Sequence, residues 1–234
     1  MAIQRNFIHM DKKKRKIRNS TTQNILTRFR LDIILCKYED NEPVREIALA
    51  ERYGVSRAAV RNALFILEHE GMVISLPNGT KKLRRFSLND LNDLYELRTY
   101  LENKAIEQIF NRPNRNFSML LNAMNHLSLS VKENIDSILD ADAAFHREAI
   151  AISENRSITQ AWDMMSGIFN AIFHLNMTES PSYMEWYIET AEERHKRLLA
   201  ALLTEEAKSK ELFSGHIHDA MEVSVKALSG ILNS

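Results

Sequence analysis

The sequence predicts a mainly α chain in two parts: a small head of three short helices closed by a β-hairpin, then an antiparallel all-α helical bundle. Three observations carry this. Glycines at 54 and 71 punctuate short helical patterns that run into Pro77-Asn78-Gly79. From Phe86 onward there are only three Gly (167, 215, 230) and two Pro (113, 181), and helical periodicity dominates. The formal net charge of zero also divides unevenly: residues 1–85 hold 18 Lys plus Arg against 9 Asp plus Glu, a net of +9, and residues 86–234 hold 13 against 22, a net of −9. A basic head suits a polyanion and an acidic remainder does not, so the two parts have different jobs.

Composition bounds the rest. No apolar run approaches the roughly 18 residues needed to span a bilayer, and the N-terminus MAIQRNFIHMDKKKRKIRNS lacks the apolar core of a secretory signal, so a cytoplasmic protein with no membrane partner is expected. The single cysteine, Cys36, excludes intrachain disulfides and reads as a small apolar core residue. Domain boundaries are expected at a basic arm over 1–19, a head over 20–85 and the bundle over 86–234.

In the head, Ile25, Leu26, Phe29, Leu31, Ile33 and Ile34 recur at roughly helical spacing, with Ser20 or Thr21 as N-cap, and give the first helix over 20–36. The second, in REIALAERYG, puts Ile47, Leu49, Ala50 and Tyr53 on one side and stops at Gly54. The third starts at Ser56 as N-cap, carries Ala59, Val60, Ala63, Leu64, Ile66 and Leu67 on its inner face, and closes at Gly71. A link of only Gly54 and Val55 holds the second and third helices at a steep angle, as in a helix-turn-helix. Strands over 73–76 and 80–83 flank Pro77-Asn78-Gly79, whose Asn-Gly is a hairpin signal, and add a wing.

That geometry explains the cations. Arg57 and Arg61, four apart near the start of the third helix, leave the face opposite its apolar stripe, and that end of a recognition helix enters the major groove. Ser56 can bond a phosphate, Arg57 and Arg61 can reach phosphates or the O6 and N7 of guanine, and Asn62 an adenine edge or the backbone. The wing offers its tip, Asn78-Gly79, and Lys81, Lys82, Arg84 and Arg85 to the sugar-phosphate backbone or minor groove. The alternative for an isolated helix of this kind is a solvated cationic face.

LAERYGVSRAAVRNALFILEHEGMV resembles the winged helix-turn-helix of the GntR family of bacterial transcription regulators, meeting nearly every fixed position of L-A-x-x-x-G-V-S-R-x-x-V-R-x-A-L-x-x-L-x-x-x-G. Lys37, Asn41-Glu42 and Ala58-Ala59 depart from the family's usual residues, outside the reading face. In the second part, six helices are expected near 87–110, 117–131, 134–153, 156–178, 182–204 and 206–232. LNDLYELRTYLENKAIE and DADAAFHREAIAISENRSI resemble the FCD ligand-binding domain of the FadR subfamily, and six helices are similar to its VanR-like branch.

Asp142 and His146, four apart, leave one helical face and can share an ion. His195 sits on the fifth bundle helix and His216 and His218 on the sixth, about 200° apart, so only one of those two can face a shared site. The resemblance implies a metal site of Asp142, His146, His195 and His216 for a divalent ion, Zn²⁺ with Ni²⁺ or Mn²⁺ as alternatives, and it implies that Arg98 points into the cavity to pair with a small carboxylate effector. From the residues alone, Arg98 equally fits a salt bridge to Glu102 or Glu96 on its own helix. Trp162, Met165, Phe169 and Phe173 read as core, and His126 and His174 as surface or packing residues. No nucleophile elbow or glycine-rich phosphate loop occurs, so no catalytic residue is expected.

The function these readings predict is a metabolite-responsive repressor, a homodimer on a roughly palindromic double-stranded DNA operator. The alternatives are a metal-dependent enzyme carrying a DNA-binding domain and an acyl-CoA-responsive regulator.

Overall fold

The computed structural model describes residues 25–232, which divide into two compact units on either side of the Phe86–Ser87 bond. The basic arm over 1–19 and the caps expected at Ser20 or Thr21 lie outside the described residues.

In the first unit, α1 is described over 25–34 and is followed by α2 (Glu46–Tyr53), α3 (Arg57–His69) and the strands β1 (Val73–Ser75) and β2 (Lys81–Leu83). The α2–α3 link is set by Gly54, whose φ of 64° is left-handed and whose N–H closes back on the end of α2. Two residues later the Ser56 hydroxyl accepts from the Ala59 N–H at 3.2 Å and starts α3. Val60, Ala63, Leu64 and Leu67 of α3 are fully buried, and Phe29 of α1 is buried against the rings of Tyr38 and Tyr53. Ile47 departs from the expected inner face: it is 57% exposed, and only Leu49 and Tyr53 of α2 are buried. An eight-residue helix has too narrow a contact strip to bury four positions.

α1 is tied to its neighbours by polar contacts as well. The Tyr53 hydroxyl donates to Asp32 at 2.8 Å. Arg30 makes a two-pronged pair with Glu70, Nε to Oε2 at 2.9 Å and Nη2 to Oε1 at 2.6 Å, with the two side chains only 7% and 6% exposed. Removing one partner strands a charge away from water, so Glu70→Leu is expected to lower unfolding stability by about 3–5 kcal/mol in urea titrations. A loss under 1 kcal/mol would show that water already solvates the pair.

β1 and β2 pair antiparallel with Val73 opposite Leu83 and Ser75 opposite Lys81. Their turn is not the two-residue Asn-Gly type. Gly79 N–H bonds the Leu76 carbonyl at 2.9 Å and Gly79 has φ of 78°, so Pro77 and Asn78 fill the turn centre and Gly79 is the left-handed residue after it. Proline's fixed φ suits the first central position, which makes the loop one residue longer.

The second unit is an antiparallel bundle of six helices: α4 (Leu88–Phe110), α5 (Ser118–Ser130), α6 (Ile135–Ala151), α7 (Arg156–Glu179), α8 (Pro181–Thr204) and α9 (Glu206–Leu232). Their starts are written locally. Ser87 and Asp90 form a capping box, Asn134 and Asn155 accept from the first free N–H groups of α6 and α7, and Pro181 opens α8. Single residues, Ser180 and Glu205, separate α7, α8 and α9, and so short a link forces consecutive helices to pack antiparallel. α4 lies along α9, and α6 packs between α5 and α7. Two apolar clusters, one around Phe145, Leu202 and Phe213 and one around Ile138, Met177 and Tyr187, fill the interior. No helix among the described residues is long and apolar enough to cross a membrane.

Candidate functional site

On the first unit, Arg57 and Arg61 project from the first turns of α3 with side chains 57% and 60% exposed. Both reach Glu46 of α2, Arg61 Nε at 2.9 Å and Arg57 Nη2 at 3.8 Å. Asn62, Asn78 and Gly79 are exposed, and Ser56, which is exposed too, spends its oxygen on the helix cap and retains only its hydroxyl hydrogen for a phosphate. Lys81 is half-buried and pairs with Glu68 of α3 while also bonding the Ser75 hydroxyl at 2.9 Å. Acidic side chains therefore hold part of this cationic face in place, and a polyanion that binds there must displace them.

In the bundle, α6 contributes Asp142 and His146, α8 contributes His195 and α9 contributes His216; one ligand atom from each lies within 4.8 Å of all the others. His146 and His195 are completely buried, and Asp142 and His216 are each 9% exposed. His218 points away, with its side chain 61% exposed near Glu222. His126 is exposed and His174 half-buried, and neither belongs to the group.

The protonation of the rings follows from their partners. His195 Nδ1 lies 2.7 Å from the Ala191 carbonyl, which can only accept, so Nδ1 carries the proton and the lone pair is on Nε2. His146 Nδ1 faces Glu102 Oε2 at 3.0 Å and its Nε2 is thereby also left with a lone pair. That Nε2 meets His216 Nε2 at 3.2 Å. His195 Nε2 comes within 3.2 Å of Asp142 Oδ1 but is not aligned to bond it, and it is left buried without a hydrogen-bond partner. Lone pairs of imidazole nitrogens and a carboxylate oxygen thus converge on one point. Such a donor set suits a divalent cation, whose ligand atoms at about 2.0–2.2 Å lie up to about 4 Å apart.

Electrostatics favour the same state. Burial pushes the Asp142 carboxyl up, yet the close His195 contact, with His146 and His216 beside it, outweighs burial and holds Asp142 well below the usual carboxylate range. Burial, then His195 and His146, push His216 far below its ordinary value and keep it neutral, as a metal ligand must be. The Tyr187 hydroxyl donates to Asp142 Oδ1 at 2.6 Å and fixes that carboxylate, with burial and then Asp142 holding the phenol protonated. Glu102 is buried between His146 and Arg98, whose Nε donates to Oε1 at 2.8 Å. Replacing the orienting carboxylate, Glu102→Gln, is expected to weaken metal binding about 10–100-fold in competition titrations with a chromophoric chelator. Unchanged affinity would remove Glu102 from the site.

Arg98, Asp142 and His216 also line a cavity. Its volume is about 30 Å³, room for two waters or so. Its walls include Tyr95, Trp162, Phe169, Phe173 and Tyr183. Trp162, Met165 and Phe169 are buried in the core as expected, and Trp162, Phe169 and the half-buried Phe173 also line the cavity. Arg98 satisfies both readings of the sequence at once: it is paired with Glu102 and lies on the cavity wall, its guanidinium 5.1 Å from the Trp162 ring and 5.0 Å from that of Phe169. A larger occupant must move these side chains, which gives a ligand the means to shift the bundle's conformation.

Comparison with known proteins places this geometry. Residues 93–218 match the FCD domain, and residues 21–80 match the bacterial regulatory proteins of the gntR family. The chain belongs to the GntR family. It is a DNA-binding transcriptional regulator with an FCD domain, and both matched families are of regulators rather than enzymes. It is similar to the uncharacterized HTH-type transcriptional regulator YdhC of Bacillus subtilis, 21% identical over 77% of this chain and 78% of that protein. A probable D-xylose utilization operon transcriptional repressor of Paenarthrobacter nicotinovorans is 25% identical over 68% of this chain and 69% of that protein. Among solved structures, E. coli McbR/YncC has the same fold, with a TM-score of 0.57 at 19% identity over 90% of this chain and 97% of that one.

Several site residues of the regulator were not singled out by sequence. Glu102 was visible only as a partner for Arg98, and Tyr187, Asn176, Tyr95 and Arg194 had no signal in their own segments to say which side chains of the other helices they would meet.

Proposed function

We propose that the regulator is a metabolite-responsive repressor acting as a homodimer on a roughly palindromic operator. Its FCD domain holds a divalent ion on Asp142, His146, His195 and His216. In the operator complex, Arg57 and Arg61 read the major groove, with Ser56 and Asn62 beside them, while Asn78, Gly79 and Lys81 of the wing follow the backbone. Three nitrogen donors and one carboxylate oxygen suit Zn²⁺, with Ni²⁺ or Mn²⁺ as alternatives, and leave coordination positions for a ligand. The bound ion would act as a Lewis acid that captures the carboxylate of a small metabolite, and Arg98 would pair with the same group. The observation that carries this reading is the convergence of those donors on the wall of a cavity that Arg98 also lines. Four polar donors and so little open space do not suit an acyl chain.

The test is metal analysis of the purified protein joined to a thermal-shift screen of small carboxylic acids on wild type and His195→Ala. About one ion per chain is expected, with acid-induced stabilisation that disappears in the variant. A wild type that takes up no divalent ion, or stabilisation unchanged in His195→Ala, overturns the reading.

A further inference from the structure

Asn176 of α7 is 1% exposed and lines the same cavity. Its Nδ2 donates to Ser224 Oγ on α9 at 2.8 Å. The one hydroxyl hydrogen of Ser224 goes to the Ala220 carbonyl at 2.8 Å, and the Tyr95 hydroxyl lies 2.8 Å from the same oxygen. Ser224 Oγ therefore has its hydrogen committed and both lone pairs occupied, by Asn176 Nδ2–H and Tyr95 O–H. Turned over, the Asn176 amide would set its carbonyl against an oxygen with no hydrogen to give. With its Nδ2 on Ser224, Asn176 Oδ1 is left buried with no hydrogen-bond partner.

An unpaired buried carbonyl is destabilising, and a native protein keeps one where something else satisfies it. Among the cavity-lining residues Trp162 Nε1–H is orphaned in the same way, so the wall lacks both a donor for Asn176 and an acceptor for Trp162. A hydroxyl supplies both kinds of group. An ammonium also donates, but it has no lone pair to accept from Trp162 and so satisfies only one of the two.

We infer that Asn176 is a specificity-determining residue whose Oδ1 accepts a hydrogen bond from a hydroxyl of the effector, so that the effector is a hydroxylated carboxylic acid. The inference rests on the carboxylate-effector reading above and narrows it. Ser224 and Tyr95 act as positioning residues that hold the amide the right way round.

The experiment is calorimetric titration of the zinc-loaded full chain with matched acids: propionate against lactate and 3-hydroxypropionate, and benzoate against 3- and 4-hydroxybenzoate, each with the methyl ethers of its hydroxy acids. In at least one set the hydroxy acid is expected to bind about tenfold or more tightly than both its parent and its methyl ether. Asn176→Leu is expected to erase that preference, with zinc content as the check that the bundle is still folded. Ser224→Ala frees the amide to turn and present Nδ2, so the methyl ether gains on the hydroxy acid. Hydroxy and parent acids that bind wild type alike, as they would if Asn176 merely held a water, overturn the inference alone, as does a preference that survives Asn176→Leu. If no acid of any set binds, the carboxylate-effector reading itself falls and takes this inference with it.

Discussion

His146→Ala is expected to leave the regulator without a stoichiometrically bound metal ion. His146 sits at the centre of the group: its Nε2 is 3.2 Å from that of His216, its ring lies 5.7 Å from that of His195, and its other nitrogen is held by Glu102. Loss of a ligand therefore exceeds the roughly 10–100-fold penalty for losing a supporting hydrogen bond. At free ion concentrations a hundredfold above the wild-type dissociation constant, bound metal stabilises the fold by about 2.7 kcal/mol, which the variant forfeits. Protons compete for the same lone pairs, so wild-type metal affinity is expected to fall with pH, and because His216 is held far below the usual imidazole range its own share is lost only at still lower pH. Equilibrium dialysis with elemental analysis measures both effects. A variant that retains one ion per chain would place the metal elsewhere.

Arg57→Ala and Arg61→Ala are expected to remove specific operator binding while the bundle remains folded. Each arginine can form a two-pronged contact worth about 1–3 kcal/mol against a wrong base, or roughly 5–150-fold in affinity. The pairing of both with Glu46 supplies an internal control. Glu46→Gln frees the two guanidiniums and is expected to raise DNA affinity several-fold, more for random than for operator sequence, since a neutralised acid helps phosphate contacts everywhere. Fluorescence anisotropy at fixed salt reads all three variants. Unchanged footprints with Arg57→Ala and Arg61→Ala would show that α3 does not read the operator.

The legible part of the fold is the part written locally. Caps at Ser56, Ser87, Asn134 and Asn155, the left-handed stop at Gly54 and the proline at 181 fix where helices begin and end, and each acts within four residues of itself. The wing was legible as a hairpin through Pro77-Asn78-Gly79, and the backbone bond from Gly79 to Leu76 adds which two of those residues fill the turn centre. Helical spacing placed Trp162, Phe169 and Phe173 on one face, yet spacing does not say whether that face meets a packed neighbour or a void. The same limit applies at the metal group. Four donors stand out by residue type, whereas Glu102, Tyr187 and Asn176 owe their place to helices that meet across 44, 45 and 48 positions of chain.

The central claim is that a small acid bound at the Asp142–His146–His195–His216 group alters the grip of the head on DNA. Its most direct test is the affinity of the zinc-loaded full chain for DNA from upstream of its own gene, measured with and without each acid that binds, on wild type and His195→Ala. At least one acid is expected to weaken wild-type binding about tenfold or more, within the coupling usual between two sites, and to leave the variant unaffected. Acids that bind the bundle yet leave DNA affinity unchanged would contradict the claim.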